Sequence, residues 1–472
     1  MPQTGVQCTS LLGIRLEGNQ TSYAPGDTII GYVHRKNHVV GANASVSISL
    51  SGRSKTKMVV SNGNSTTTYR GRFNLIPRNR QVIYEGPVHI ELDNNEQAWP
   101  FAITLPKYVD PNHLQNDEQR ESFLPLRATD YVLPSTYAYS TVGSTEAFVE
   151  YYLTATLVVR GRGDSAEATL PITVANVDQH PPIADFGLKE ARSYHQIVTY
   201  RLVPGMEEAK LSFSQKFKQV LQTTSVPQFA FDLVVGLPTL IQLDNPNPLP
   251  IKIHIVPNQK NTSEVIKDVP HEVKLTYVCI RIIAHTEILC EGTFSPHTKD
   301  KNRDIDLGIA RALYKLNQSI NIPCSSKCPP VNIGKMIDLR LGYLGSGFLQ
   351  TSGWGRSPFV PDFTTYNIRQ SHTLKWEVRG KVAEEEFKAN GAVPVKLLAP
   401  SDERGLGQLD EDQKVPVAIN EAGGESEPIA GPFQVQRNES WIQPPAEDEA
   451  PPSFNQIVKE DTETRPPEKA IA

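Results

Sequence analysis

A chain of 472 residues can hold two or three domains of ordinary size, each with its own core. Its 37 prolines outnumber its 31 glycines, which argues against long helices and suits a β-protein with many strand ends. The formal charge of −5 is unevenly spread: residues 401–472 carry 16 acidic and 6 basic side chains, net −10, leaving +5 on residues 1–400.

The first eighteen residues lack a basic stretch followed by an apolar core, so no secretory signal is expected. No apolar run reaches 18 residues, so no membrane-spanning helix is expected either. Five cysteines at irregular spacing (Cys8, Cys279, Cys290, Cys324, Cys328) read as reduced cytosolic thiols.

Strands are expected at 11–17, 28–34, 69–75, 80–84, 98–104, 147–160, 168–174, 194–203, 229–236, 271–284 and 331–341. The dominant signal is period-two alternation. Val46, Ile48 and Leu50 alternate with serines, Ile251, Ile253 and Ile255 with Lys252 and His254, and Leu374, Trp376 and Val378 with charged residues. One apolar and one wet face is the pattern of antiparallel sheets packed on one side. Pro25-Gly26-Asp27 and Asp244-Asn245-Pro246 supply turn chemistry, and Gly86-Pro87 is expected to end the strand before it. Only 207–222 and 306–316 read as short helices. Beyond residue 401, glycine, proline and acids dominate, so that stretch is expected to be a disordered acidic tail.

Several motifs occur in a fixed order. Tyr23-Ala24-Pro25-Gly26-Asp27-Thr28-Ile29-Ile30-Gly31-Tyr32-Val33 is followed by Val46 to Thr56, Ile83-Tyr84-Glu85-Gly86-Pro87, Trp99 to Pro106, Leu133-Pro134 and Val149-Glu150-Tyr151-Tyr152-Leu153. This series resembles the arrestin N-terminal domain of fungal arrestin-like (alpha-arrestin) proteins. Phe231-Asp232-Leu233 and Ser371 to Val378 are similar to an arrestin C-terminal domain. The resemblance implies an all-β fold of two immunoglobulin-like antiparallel sandwiches in tandem. The boundaries expected are a flexible N-terminus at 1–9, a first sandwich at 10–178, a linker at 179–192, a second sandwich at 193–400, and the tail at 401–472.

Catalytic signatures are missing from the sequence: it has no Gly-x-Ser-x-Gly elbow, no His-Glu-x-x-His and no phosphate-cradling loop. Cys324 and Cys328 have no second pair at zinc spacing. The chain is therefore read as a non-enzyme with no catalytic, cofactor or metal residues. Arg53, Lys55, Lys57, Arg70, Arg72, Arg78 and Arg80 have no acidic residue among them before Glu85. On adjacent strands they would pool into a surface for phosphorylated or acidic tails or anionic lipid headgroups. Without aromatic stacking platforms nucleic acid is not expected. In the tail, Pro451, Pro452 and Phe454 resemble a WW-domain docking motif with phenylalanine in place of tyrosine, and Leu105, Pro106 and Tyr108 form a weaker variant.

The resemblance implies a non-catalytic cytoplasmic adaptor, recruited peripherally to plasma membrane or endosomes. It would link membrane cargo (transporters or receptors, through their cytosolic tails) to a HECT-type ubiquitin ligase with WW domains and to endocytic sorting. The alternative is a retromer-subunit-like trafficking scaffold of the same fold without ligase recruitment.

Overall fold

The alternating runs form antiparallel strands because each apolar series lines one pleat face and buries it. In the N-terminal half the strands are β1 (Gly13–Leu16), β2 (Thr28–Arg35), β3 (Val39–Asn62), β4 (Ser65–Ile90), β5 (Gln97–Thr104), β6 (Tyr137–Thr141), β7 (Thr145–Val159) and β8 (Asp164–Ile172). This computed structural model describes residues 4–7, 12–18, 20–63, 65–91, 96–110, 121–141, 144–160, 164–207, 209–221, 225–292, 295–342 and 359–401. They belong to one compact unit, Met1–Lys414. Among them no helix is long and apolar enough to cross a membrane.

A three-stranded sheet, β1-β2-β5, faces a five-stranded sheet, β4-β3-β7-β6, with β8 also on β7. Between them lie Ile14, Ile29, Val33, Phe101 and Ile103 from the first sheet and Val46, Ile48, Leu50, Leu153 and Leu157 from the second. Burying each such side chain contributes about 1.5–3 kcal/mol. The Pro25–Asp27 turn enters β2 as its chemistry predicts. Gly26 adopts φ +102°, and the Asp27 carboxylate accepts from the Ala24 N–H at 2.8 Å.

The β4 hairpin departs from expectation. One strand runs from Ser65 to Ile90 through both prolines, so Gly86-Pro87 does not end it. The ladder shifts register at those places. Gly52 faces Ile76 while Leu50 faces Asn79, and Ala44 faces Gly86 while Gly41 faces Val88. Pro77 and Pro87 therefore sit in bulges where no ladder donor is needed, and Gly86 supplies φ +152°.

The C-terminal half contains β9 (Leu188–Val198), α1 (Phe213–Val220), β10 (Gln228–Pro238), β11 (Leu240–Gln242), β12 (Lys252–Pro257), β13 (Glu272–Cys290) and β14 (His297–Asp306). It continues with α2 (Ile309–Leu316), β15 (Ile320–Pro323), β16 (Val331–Asn332), α3 (Ile333–Met336), β17 (Phe363–Thr364), β18 (Ile368–Val382) and β19 (Glu385–Leu398). Sheet β16-β12-β10-β9 covers the sheet β11-β19-β18-β13-β14, to which β15 and β17 are also paired. A second core of Phe231, Ile253, Ile255, Ile280, Leu374, Trp376 and their neighbours lies between the two sheets.

Three readings need correction here. The strand expected at 331–341 is a two-residue bridge followed by a helical turn, because the Asn332 side chain caps the Lys335 N–H. The segment 194–203 is strand only to Val198, after which a 3-10 turn capped by Thr199 bends the chain. β9 begins at Leu188, inside the stretch expected as linker, because Leu188 to Arg192 pair with Val234 to Pro238.

The two cores meet through a buried polar seam. Tyr137 Oη lies 2.9 Å from Thr286 Oγ1 and donates to Gln370 Oε1 at 3.1 Å. Behind it, within the C-terminal half, His372 Nδ1 is 2.6 Å from Asp362 Oδ1, which also accepts from the Leu397 N–H. Farther along, Thr56 donates to the Leu289 carbonyl at 2.6 Å and accepts from Asn367 Nδ2 at 3.2 Å. Satisfied buried polar groups of this kind fix one arrangement of the two halves.

Candidate functional site

The charged alternation of β3 meets β4 on one side and β7 on the other. Directly opposed residues project to the same face, so the registers define a grid. Arg53 lies between Asn74 and Glu150, Lys55 between Arg72 and Phe148, and Lys57 between Arg70 and Glu146. Arg80 opposes Ser49 and donates to Ser47 Oγ at 2.8 Å, on the same face. Six of the seven cations singled out in sequence are thus brought together. The side chain of Arg78 lies outside the described residues. Glu167, on β8 opposite Thr156, and Glu85, on β4 opposite Ser45, join Glu146 and Glu150, so among the described residues six cations face four carboxylates and the face is net +2.

Its centre is an ion cluster that sequence reasoning missed. Glu150 Oε1 is 2.7 Å from Arg53 Nε and 2.6 Å from Lys55 Nζ. The Lys55 and Glu150 side chains are only 5% and 7% exposed. Glu150 Oε2 accepts from the Thr4 N–H at 2.8 Å, and Arg53 Nη2 donates to Thr4 Oγ1 at 2.8 Å. Lys57 reaches Glu146 at 3.1 Å. The Arg53 guanidinium also stacks over the Tyr152 ring, 4.8 Å from its centroid.

Burial pushes the Glu150 carboxyl up, but Lys55, the Thr4 N–H and Arg53 together outweigh it and hold the group below the ordinary glutamate range. Lys55 moves down: burial leads, Glu150 opposes it, and Arg53 and Arg72 add repulsion. The two side chains form a close pair in a dry setting, Lys55 Nζ 2.6 Å from Glu150 Oε1.

The N-terminal segment takes part in this arrangement. Gln7 exchanges backbone hydrogen bonds with Thr169 at 2.9 and 2.8 Å, so Thr4 and Gln7 of the stretch expected to be flexible are tied to the sheet. Beside them opens a cleft of about 300 Å³ lined by Thr4, Gln7, Arg53, Arg72, Asn74, Tyr152 and Glu167, among others. Guanidinium, amide and hydroxyl donors converge there, a set suited to an oxyanion.

The weaker docking motif is built into the fold. Leu105 is fully buried, its N–H donates to Asp27, and its carbonyl accepts from Gly26. Tyr108 bridges to Val132, leaving its ring partly exposed beside a second cleft of about 640 Å³ that Lys107, Asp178 and His180 also line. Pro451, Pro452 and Phe454 lie outside the described residues.

Other reactive groups stand apart from this face. Ser193 Oγ lies 3.0 Å from His195 Nε2, but Asp232 opposes Tyr194 and so projects from the other side of the sheet. Cys324 and Cys328 are free thiols, and among the described residues no three metal-ligating side chains cluster. No protein-family model matches the chain, and no curated protein matches it.

Proposed function

We propose that this protein is a non-catalytic trafficking adaptor, built as two arrestin-like sandwiches in tandem with a disordered acidic tail. In this reading the β3–β4 face takes phosphorylated or acidic segments from the cytosolic tails of membrane proteins. The tail, through Pro451, Pro452 and Phe454, recruits a WW-containing ubiquitin ligase. The protein works in the cytoplasm and is drawn to plasma membrane or endosomes by its cargo.

One observation carries the reading: six cations on one sheet face set against four carboxylates among the described residues, beside a donor-lined cleft. Glu150 already occupies the position an incoming phosphate would take between Arg53 and Lys55. Binding is therefore an exchange of one anion for another, which favours the doubly charged phosphate over a carboxylate.

The test is fluorescence anisotropy with a synthetic peptide carrying several phosphoserines, set against its unphosphorylated form. The phosphopeptide binds selectively, R70E/R72E weakens it at least about tenfold, and added salt weakens it further. Equal affinity for both peptides, or an unaffected R70E/R72E, contradicts the proposal.

A further inference from the structure

Helix α1 is amphipathic in the inverse sense. An ordinary surface helix turns its apolar stripe inward, as α2 does by burying Ile309 and Ala312. On α1 no residue is buried. Phe213, Phe217, Val220 and Leu221 recur at helical spacing and are 87%, 58%, 79% and 58% exposed. The glutamines face the body instead. Gln219 donates to Glu385 Oε1 at 2.8 Å and lies 3.3 Å from Thr199 Oγ1, while Gln215 and Ser212 close a capping box. The polar side is thus anchored and the apolar side is held outward.

Charge indicates what covers that side. Within residues 209–221 the charged side chains are Lys210, Lys216 and Lys218, all exposed and all cationic. At 100° per residue, Lys216 and Lys218 fall on opposite flanks of the arc formed by Phe213, Phe217, Val220 and Leu221. Apolar rings at the centre with lysines on both flanks match the boundary between acyl chains and anionic headgroups, where long cationic side chains reach back to phosphate. Eight residues span about 12 Å, enough to lie in the interface and far too short to cross a bilayer.

From these observations we infer that α1 is a membrane-contact element that inserts its phenylalanine face into anionic bilayers. It docks the end of the C-terminal half that carries the β9–β10 connection. The inference adds a lipid-binding site separate from the β3–β4 face and does not depend on the cargo reading, because the test contains no cargo.

The full-length chain is sedimented with vesicles of phosphatidylcholine alone and of phosphatidylcholine with phosphatidylserine at two to one. The wild type partitions onto the mixed vesicles. F213S/F217S lowers that partition at least about tenfold, and K210E/K216E abolishes the preference for phosphatidylserine. In F217W, the added fluorescence over the wild-type background is quenched by brominated acyl chains. Because these side chains are exposed, the variants keep the wild-type melting temperature, which separates loss of binding from loss of fold. Equal partition of wild type and F213S/F217S overturns the inference. So does F217W emission that brominated chains leave unchanged, or a concentration-dependent dimer that F213S/F217S abolishes without any vesicle binding, since that assigns the face to a second copy.

Discussion

Replacing Glu150 with alanine separates the structural from the functional role of the basic face. The substitution leaves Lys55, whose side chain is 5% exposed, without its 2.6 Å partner. Arg53 retains Thr4 and the Tyr152 ring. Breaking a buried pair by removing one member costs about 3–5 kcal/mol where nothing else meets the remaining charge, and Lys55 keeps the Phe148 ring, 6.0 Å from its Nζ. With Arg53 still satisfied, the lower end applies, about 3 kcal/mol. In a half of this size that lowers the melting temperature by about 6–12 °C. Replacing Lys55 and Glu150 together by methionine restores most of the loss, since a packed apolar pair needs no compensation.

Anion affinity moves the other way. E150A removes the carboxylate that competes for Arg53 and Lys55, so the phosphopeptide binds several-fold more tightly while the fold weakens. The acid limb of stability follows from the same group. Glu150 is held below its ordinary range, so its contribution is complete above about pH 4.3 and is lost as pH falls through the lower folded value. Calorimetry between pH 3 and 7 shows this acid slope in the wild type and a shallower one in E150A. A melting temperature within about 2 °C of wild type together with unchanged peptide affinity would refute the reasoning, because it would mean the cluster is hydrated like a surface pair.

Further outcomes follow from the same geometry. Y137F removes the hydroxyl shared with Thr286 and Gln370 in the buried seam and costs about 1–2 kcal/mol in chemical denaturation. G31A places a methyl 2.4 Å from the Arg15 carbonyl and 3.0 Å from the Phe101 ring, so β1 and β2 must separate, at a cost of about 1–3 kcal/mol measured the same way. Burial, aided by the charge of Glu272, pushes the Cys324 thiol up to about 12. Cys324 therefore resists alkylation at pH 8 in the folded chain and reacts on unfolding, as peptide mass mapping will show.

Much of the fold was legible because strand alternation is local. Val46-Ile48-Leu50 and Leu374-Trp376-Val378 form core faces as read, and both expected helices exist as α1 and α2. The misread places are those where a non-local partner decides. Pro87 looks like a strand end until the register shift of β3 accommodates it. The 331–341 run is apolar enough for a strand, but the Asn332 cap turns it into a helix. The cations of β3 and β4 were visible because they crowd one stretch of sequence. Glu150 was not, since its pairing with Arg53 joins positions 97 residues apart and depends on the β3–β7 register. Its signal was faint: one of two acids in β7, set between Val149 and Tyr151, both buried.

The central claim is that the β3–β4 face, with Glu150 at its centre, receives an anionic segment from a partner protein. Hydrogen–deuterium exchange of the full chain with and without the phosphoserine peptide tests it most directly. The account predicts slower exchange along residues 51–57, 69–74 and 146–152, with faster exchange at residues 4–7 as phosphate takes the place of the Thr4 contact. Protection confined to other strands, or none on this face at saturating peptide, would contradict it.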